Sequence, residues 1–190
     1  MVQTRARLQA HPLKAKEIVE VVLKAWEDIF ASSFGSKGFR IGKDIVPKPQ
    51  IMGFFLHELI PLELAARYPN VWRPEKSAAD KDVNHISDPQ FSIEIKTSSH
   101  ATAIFGNRSY AQAPTDGGVR KSKSGYYLAV NFQKFVASGT RPMIARIRFG
   151  WLDHTDWVGQ AAATGQQAHL TREAEAFKLL ELFPKNQVEL

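Results

Sequence analysis

Apolar positions along the chain change their period about half-way. Between residues 13 and 31, Val19, Val22, Leu23, Trp26, Ile29 and Phe30 recur at spacings of three and four, and Lys16, Glu20, Lys24 and Glu27 fill the rest of the turn. That period predicts an amphipathic helix. A loop at 35–50 follows, with three glycines, two prolines and three lysines, and then a second helical stretch from Ile51 to Arg67, kinked or restarted at Pro61. Tyr68 to Ala79 is irregular. From there the period drops to two: Phe91, Ile93 and Ile95 alternate with Ser92, Glu94 and Lys96, the pattern of a half-buried strand. The short segment Asp82 to Ser87 ends at Asp88-Pro89, a turn signal, so the two pieces predict a β-hairpin. Gly125 to Phe135 and Met143 to Leu152 carry the aromatic and β-branched residues of two more strands, separated from the hairpin by a loop at 106–123. Thr171 to Phe183 reads as a closing helix with Thr171 as cap and Pro184 as stop. Helices, then strands, then a helix predict an α+β fold, a mixed central β-sheet flanked by helices. No shift in composition marks a boundary, so 1–190 is expected to form a single domain.

Composition narrows the partners. The net charge is +6, with hydrophobic residues at 44% and aromatics at 11%. This is the profile of a globular chain whose charge suits a polyanion, either nucleic acid or an anionic membrane surface. A membrane span needs roughly 20 apolar residues, and the richest window, Ile51 to Ala66, is broken by His57, Glu58, Pro61 and Glu63. The first residues, Met1 to Arg7, lack the apolar stretch of a secretory signal. With no cysteine anywhere, disulfides, thiolate zinc sites and cysteine nucleophiles are excluded, and a cytoplasmic location is expected. The six histidines show no zinc spacing, and there is no nucleotide-binding glycine fingerprint.

The chemistry concentrates between Asp80 and Lys96. Phosphodiester hydrolysis calls for a divalent metal, an activated water and positive charge for the transition state. Hard cations such as Mg2+ take carboxylate oxygens, usually one or two. Glu94 and Lys96 share one face of their strand because Phe91, Ile93 and Ile95 claim the other for the core. A three-residue hairpin loop, Asp88 to Gln90, would set Ser87 opposite Phe91 and Asp82 opposite Lys96. Asp82 would then be diagonal to Glu94, roughly 5 to 8 Å away at Cβ. A two-residue loop would shift that register and spoil it. Asp80 lies on the same face beyond the pair and is held in reserve; Asp88 falls in the turn. Glu-x-Lys on an alternating strand also fits a solvated face. The upstream aspartate, the basic charge and the Thr97-Ser98-Ser99 continuation favour a catalytic reading.

The Asp82…Glu94-x-Lys96 hairpin resembles the PD-(D/E)xK nuclease superfamily. Four longer stretches are similar to ScaI-type restriction endonucleases: Phe91 to Ser99, Ile104 to Gln112, Lys123 to Phe132 and Arg148 to Trp157. The resemblance implies a restriction-endonuclease-like core, Mg2+ dependence and a homodimer that cleaves both strands of double-stranded DNA at a short palindromic site. One departure is visible: Lys81, not proline, precedes Asp82. Such nucleases often add a glutamate from the preceding helix. Glu58 falls among Phe54, Phe55, Leu59 and Leu62, on an apolar face where a carboxylate without a partner is expensive. It is therefore expected to serve as a supporting metal or water ligand, or to make a structural hydrogen bond. Glu63 instead pairs with Arg67 four residues on.

For DNA, Arg120, Lys121 and Lys123 form a cationic loop suited to phosphates, and Asn107, Arg108 and Gln112 follow the catalytic strand and could read bases. The bland alternative for each is an ordinary solvated loop. Asp153, His154 and Asp156 read as turn and capping residues rather than a metal site, and Tyr126 and Tyr127 as core or interface rather than a stacking platform for single-stranded bases. A repair or junction-resolving nuclease and a non-catalytic DNA-binding module remain as competing functions.

Overall fold

The computed structural model describes residues 2–112, 121–136, 140–162 and 164–184. Two helices, α1 (Val2–Ala10) and α2 (Ala15–Ala31), open the chain. A two-stranded hairpin, β1 (Ser33–Phe34) and β2 (Phe39–Arg40), begins just before the expected loop and ends inside it. Helix α3 (Pro49–Arg67) starts with proline in its first turn and runs unbroken through Pro61. Pro61 therefore withholds a hydrogen bond from the His57 carbonyl without ending the helix.

The strands β3 (Trp72–Pro74), β4 (Val83–His85), β5 (Ile93–Ser98), β7 (Gly125–Phe132), β8 (Ile144–Leu152) and β11 (Leu179–Phe183) form a six-stranded sheet in the order β11-β8-β7-β5-β4-β3. β5 and β7 run parallel and every other pair is antiparallel. This is the expected mixed α+β sheet. A smaller antiparallel sheet holds β6 (Phe105–Asn107), β10 (Gln167–Leu170) and β9 (Trp157–Gly159).

The large sheet is covered on both faces. Ile93 and Ile95 of β5, Tyr126, Leu128 and Val130 of β7, and Ile147 and Phe149 of β8 join Val22, Trp26, Ile29, Leu56 and Ile60 of α2 and α3 in one core. The opposite face packs Tyr127, Ala129 and Leu152 against Trp157, Ala168 and Leu170 of the small sheet. None of the described helices is long and apolar enough to cross a membrane.

Three expectations change. The closing helix is only α4 (Arg172–Phe177), capped by Thr171, whose Oγ accepts from the Ala174 N–H at 3.1 Å. Leu179 to Phe183 leaves it to become the edge strand β11, burying Leu179 and Leu182. The partner strand makes room: a Cβ on Gly150 would stand 1.9 Å from the Lys178 carbonyl oxygen. Free backbone hydrogen bonds on β8 and that close approach outweigh helical propensity in a segment whose apolar residues fit either period.

The second change is the hairpin register. Val83 lies opposite Ile93, which extends to Asp82 opposite Glu94 instead of opposite Lys96. The connection is longer than the expected loop because Pro89–Phe91 forms a 3-10 turn capped by Asp88. Third, Glu58 is exposed. On α3 the buried stripe is Met52, Leu56, Ile60 and Leu64, while Ile51, Phe54 and Leu62 beside Glu58 face outward. Apolar residues surround this helix, so periodicity alone could not say which stripe the sheet would cover.

Candidate active site

The site sits where β4, β5 and the segment leading into β7 meet. Asp82 is just before β4. Its Oδ2 accepts the Ile95 N–H at 2.5 Å and lies 3.7 Å from His57 Nδ1 of α3. Glu94, only 2% exposed, points from β5 into the face covered by the small sheet. Its Oε1 accepts from Lys96 Nζ at 2.6 Å and from the Tyr110 hydroxyl at 2.5 Å, and Lys96 Nζ also donates to that hydroxyl at 3.0 Å. The ammonium lies 4.6 Å from the centre of the Tyr110 ring, a cation–π contact.

Each carboxylate is thus anchored through one oxygen. The other two oxygens, Asp82 Oδ1 and Glu94 Oε2, meet on a single group: Lys121 Nζ lies 3.0 Å from the first and 2.7 Å from the second. Burial would raise the Glu94 carboxyl, but the positive charges of Lys96 and Lys121 outweigh it and hold it down at about 2. A buried charge of this kind persists only when it is paired.

Lys81, the residue that replaces the signature proline, turns inward. Its Nζ donates to the Ser122 carbonyl at 2.9 Å, and its side chain runs under Gly125, where a Cβ would stand 2.8 Å from Lys81 Cε. Burial lowers its ammonium to about 8, against the pull of Glu94. Asp80 is committed elsewhere, accepting from Arg73 at 2.9 Å and from the Lys76 N–H at 2.9 Å. Those bonds leave Asp82 as the acidic partner of Glu94.

Glu58 makes no contact with Asp82, Glu94 or Lys96, and its charge acts on Glu75. The nearby Glu75 carboxyl is raised by partial burial and by the charges of Asp82, Glu58 and Glu94. Among the described residues no group of three or more His, Asp or Glu side chains is gathered closely enough to hold a metal. Two carboxylates converging on one cation are nevertheless the donor set that Mg2+ ordinarily takes, with water completing its shell, so the residues fit such an ion.

The residues expected at DNA divide. Asn107 and Gln112 are exposed on and beside the small sheet. Arg108 braces it from within, Nη1 donating to the Ala162 carbonyl at 3.1 Å and the Gly165 carbonyl at 3.0 Å. Lys123 donates to the carbonyls of Ser109 and Gln112. Arg120 lies outside the described residues. Asp153 and Asp156 form the expected capping turn, both bound by Lys178, and Tyr126 and Tyr127 are buried as expected. Sequence reasoning missed the roles of Tyr110, His57 and Lys81 and placed Lys121 on DNA. The signals present were Tyr110 within the Ile104 to Gln112 stretch and the unusual lysine before Asp82.

The sequence profile of the family described as ScaI restriction endonuclease matches residues 1–183. The type II restriction enzyme ScaI of Streptomyces caespitosus is 49% identical over 185 residues, spanning 97% of this chain and 80% of that enzyme. The chain belongs to the ScaI restriction endonuclease family.

Proposed function

We propose that this restriction endonuclease hydrolyses double-stranded DNA at a short palindromic site, as a homodimer, using Mg2+ held by Asp82 and Glu94 with Lys96 beside it. The observation that carries the reading is the convergence of Asp82 Oδ1 and Glu94 Oε2 on one cation, with a second lysine 2.6 Å from Glu94 Oε1. Mg2+ bound there would polarise a phosphate oxygen and acidify a water.

The protein's own groups do the rest. The Ile95 N–H fixes Asp82, and Tyr110 fixes Glu94, so both free oxygens keep their direction without reorganising during the reaction. Lys96, with a side chain 12% exposed, stands at the rim beside Glu94. There it orients the attacking water and offsets the negative charge that builds on phosphorus. Glu58 and Glu75 form an outer acidic rim, in which Glu58 supports the metal through water. Exposed Asn107 and Gln112 suit base edges, while Arg108 and Lys123 hold the backbone that presents them. A palindromic site calls for two-fold symmetry, with one active site per strand.

Replacing Lys96 by Ala tests the reading. Cleavage should fall at least about a hundredfold, in line with the loss of a transition-state charge contact, while duplex binding in Ca2+ persists by mobility shift. Cleavage that survives in Lys96→Ala, or that proceeds in EDTA, would sink it. Digestion of genomic duplex should give discrete fragments, and equilibrium sedimentation should show a dimer.

A further inference from the structure

We propose that Lys121 is an internal occupant of the cation seat, pairing Asp82 with Glu94 in the DNA-free enzyme and leaving when duplex DNA offers its ammonium a phosphate. The proposal rests on the reading of Asp82 and Glu94 as the metal-holding pair and adds what controls access to them.

Three observations carry it. First, the two carboxylate oxygens left free by Ile95, Lys96 and Tyr110 are the two that Lys121 Nζ meets, at 3.0 and 2.7 Å. Among the described residues Glu94 Oε2 has no other partner. The ammonium stands where a divalent cation shared by both carboxylates would have to be.

Second, the site already balances two carboxylates against three ammonium groups, those of Lys81, Lys96 and Lys121. Adding two further positive charges at this distance, with all three lysines in place, would crowd like charge in a poorly solvated space. One ammonium must leave for a dication to enter.

Third, only Lys121 is placed to leave. Lys96 is fixed on β5 and shared between Glu94 and Tyr110. Lys81 is 9% exposed and hydrogen-bonded to Ser122. Lys121 belongs to no helix or strand, and its side chain is 23% exposed. Lys81, gripping the carbonyl of Ser122, holds the chain immediately after Lys121, so release asks only for rotation of one long side chain. A DNA phosphate is the partner that can draw the ammonium out, because it replaces the carboxylate pairing with another charge-assisted bond. Metal uptake and duplex binding are then positively coupled.

The test is Mn2+ binding to the DNA-free dimer at neutral pH, followed by the electron paramagnetic resonance of free Mn2+. Lys121→Met should bind Mn2+ at least tenfold more tightly than the parent. Lys121→Gln, which keeps a polar head without charge, should do the same and covers the case where the Met variant folds poorly. Both should melt lower than the parent without metal and recover on adding Mn2+, because a ligand that binds only the folded state stabilises it. With Ca2+ in place of Mn2+ as the titrated metal, followed by calorimetry so that no cleavage intervenes, adding duplex should raise the affinity for Ca2+ more in the parent than in either variant. Unchanged or weaker Mn2+ binding in both variants would overturn the proposal, as would an equal duplex-induced gain. Asp82→Asn on the Lys121→Met background separates the two readings: if that double variant binds Mn2+ as tightly as Lys121→Met, the carboxylate seat itself is wrong.

Discussion

On β5, Ile93 and Ile95 face α2 and α3, whereas Glu94 and Lys96 face the small sheet. The next two strands repeat the division. Tyr126, Leu128 and Phe149 lie on the helical side, and Asn131 and Arg148 lie with Tyr127 and Ala129 on the other. Both faces are buried, yet one is nearly all apolar, while the other sets paired charged and polar groups beside a smaller apolar cluster. On the second face, Arg148 donates to Asn131 Oδ1 at 2.9 Å and to Glu175 at 3.3 Å, and Asn131 ties down the carbonyls of His100 and Ala103 beyond β5. The helical face supplies stability through dispersion and dehydration. The other gives up some of that to hold charged groups in fixed positions, which a nuclease site requires.

The comparison can be broken most severely from the helical side. Phe149 is fully buried and stacks on Tyr126 with ring centroids 5.6 Å apart. Phe149→Ala should cost about 3–5 kcal/mol in equilibrium unfolding, with cleavage per folded molecule preserved. A comparable loss of specific activity would show that the two faces are not separable.

Acid separates the faces next. His11 sits among Trp72, Tyr126 and Phe149, where its Nδ1 accepts from the Leu13 N–H and its Nε2 contacts the Phe91 carbonyl. That pairing requires the neutral ring, and burial lowers its pKa to about 4. A depressed folded value means stability that is whole above about 6.5 and lost as pH falls through about 4. Glu94 acts in a lower window, its contribution whole above about 4.5 and lost as pH falls towards about 2. Each window should be worth on the order of a few kcal/mol. Urea midpoints measured across pH should show both; His11→Gln should flatten only the upper, Glu94→Gln only the lower.

Tyr110→Phe is smaller and sharper. It removes a hydrogen bond to a charged carboxylate, worth about 1.5–3 kcal/mol, so cleavage should drop roughly tenfold or somewhat more. The helical face is untouched, so the denaturant midpoint should fall only by the equivalent of that one hydrogen bond, short of the loss for Phe149→Ala. The smallest effect belongs to half-buried charge at the rim: Arg146→Met breaks the ion pair with Glu181 at 3.0 Å and should cost no more than about 1 kcal/mol. Arg148→Met should cost about 1–3 kcal/mol because Asn131 and the Thr102 carbonyl lose their buried donor. Equal losses for these two arginines would contradict the distinction between rim and interior.

Much of this was legible in one dimension. The period of α2, the alternation of β5 and the aromatic weight of β7 and β8 are local consequences of which side must be dry. Glu94 and Lys96 follow from that alternation directly. Local pattern failed where several partners could satisfy the same residues. Leu179 to Phe183 could continue a helix or complete a sheet edge, and the vacant bonds of β8 decided. Glu58 shared an apolar stripe with Phe54 and Leu62, and only packing showed that stripe to be the outer one.

By itself, the sequence determined the sheet class, the basic character and the pair Glu94 and Lys96, because each depends on residues within a few positions of one another. Tertiary structure decided which acid joins them and what meets them. The sequence favours Asp82 over Asp80 only through an assumed hairpin register; packing commits Asp80 to Arg73 and gives Asp82 the Ile95 N–H. Tyr110 and Lys121 arrive from 16 and 27 residues beyond Glu94. Electrostatic pairing in a buried space acts through distance in three dimensions, and separation along the chain does not encode it.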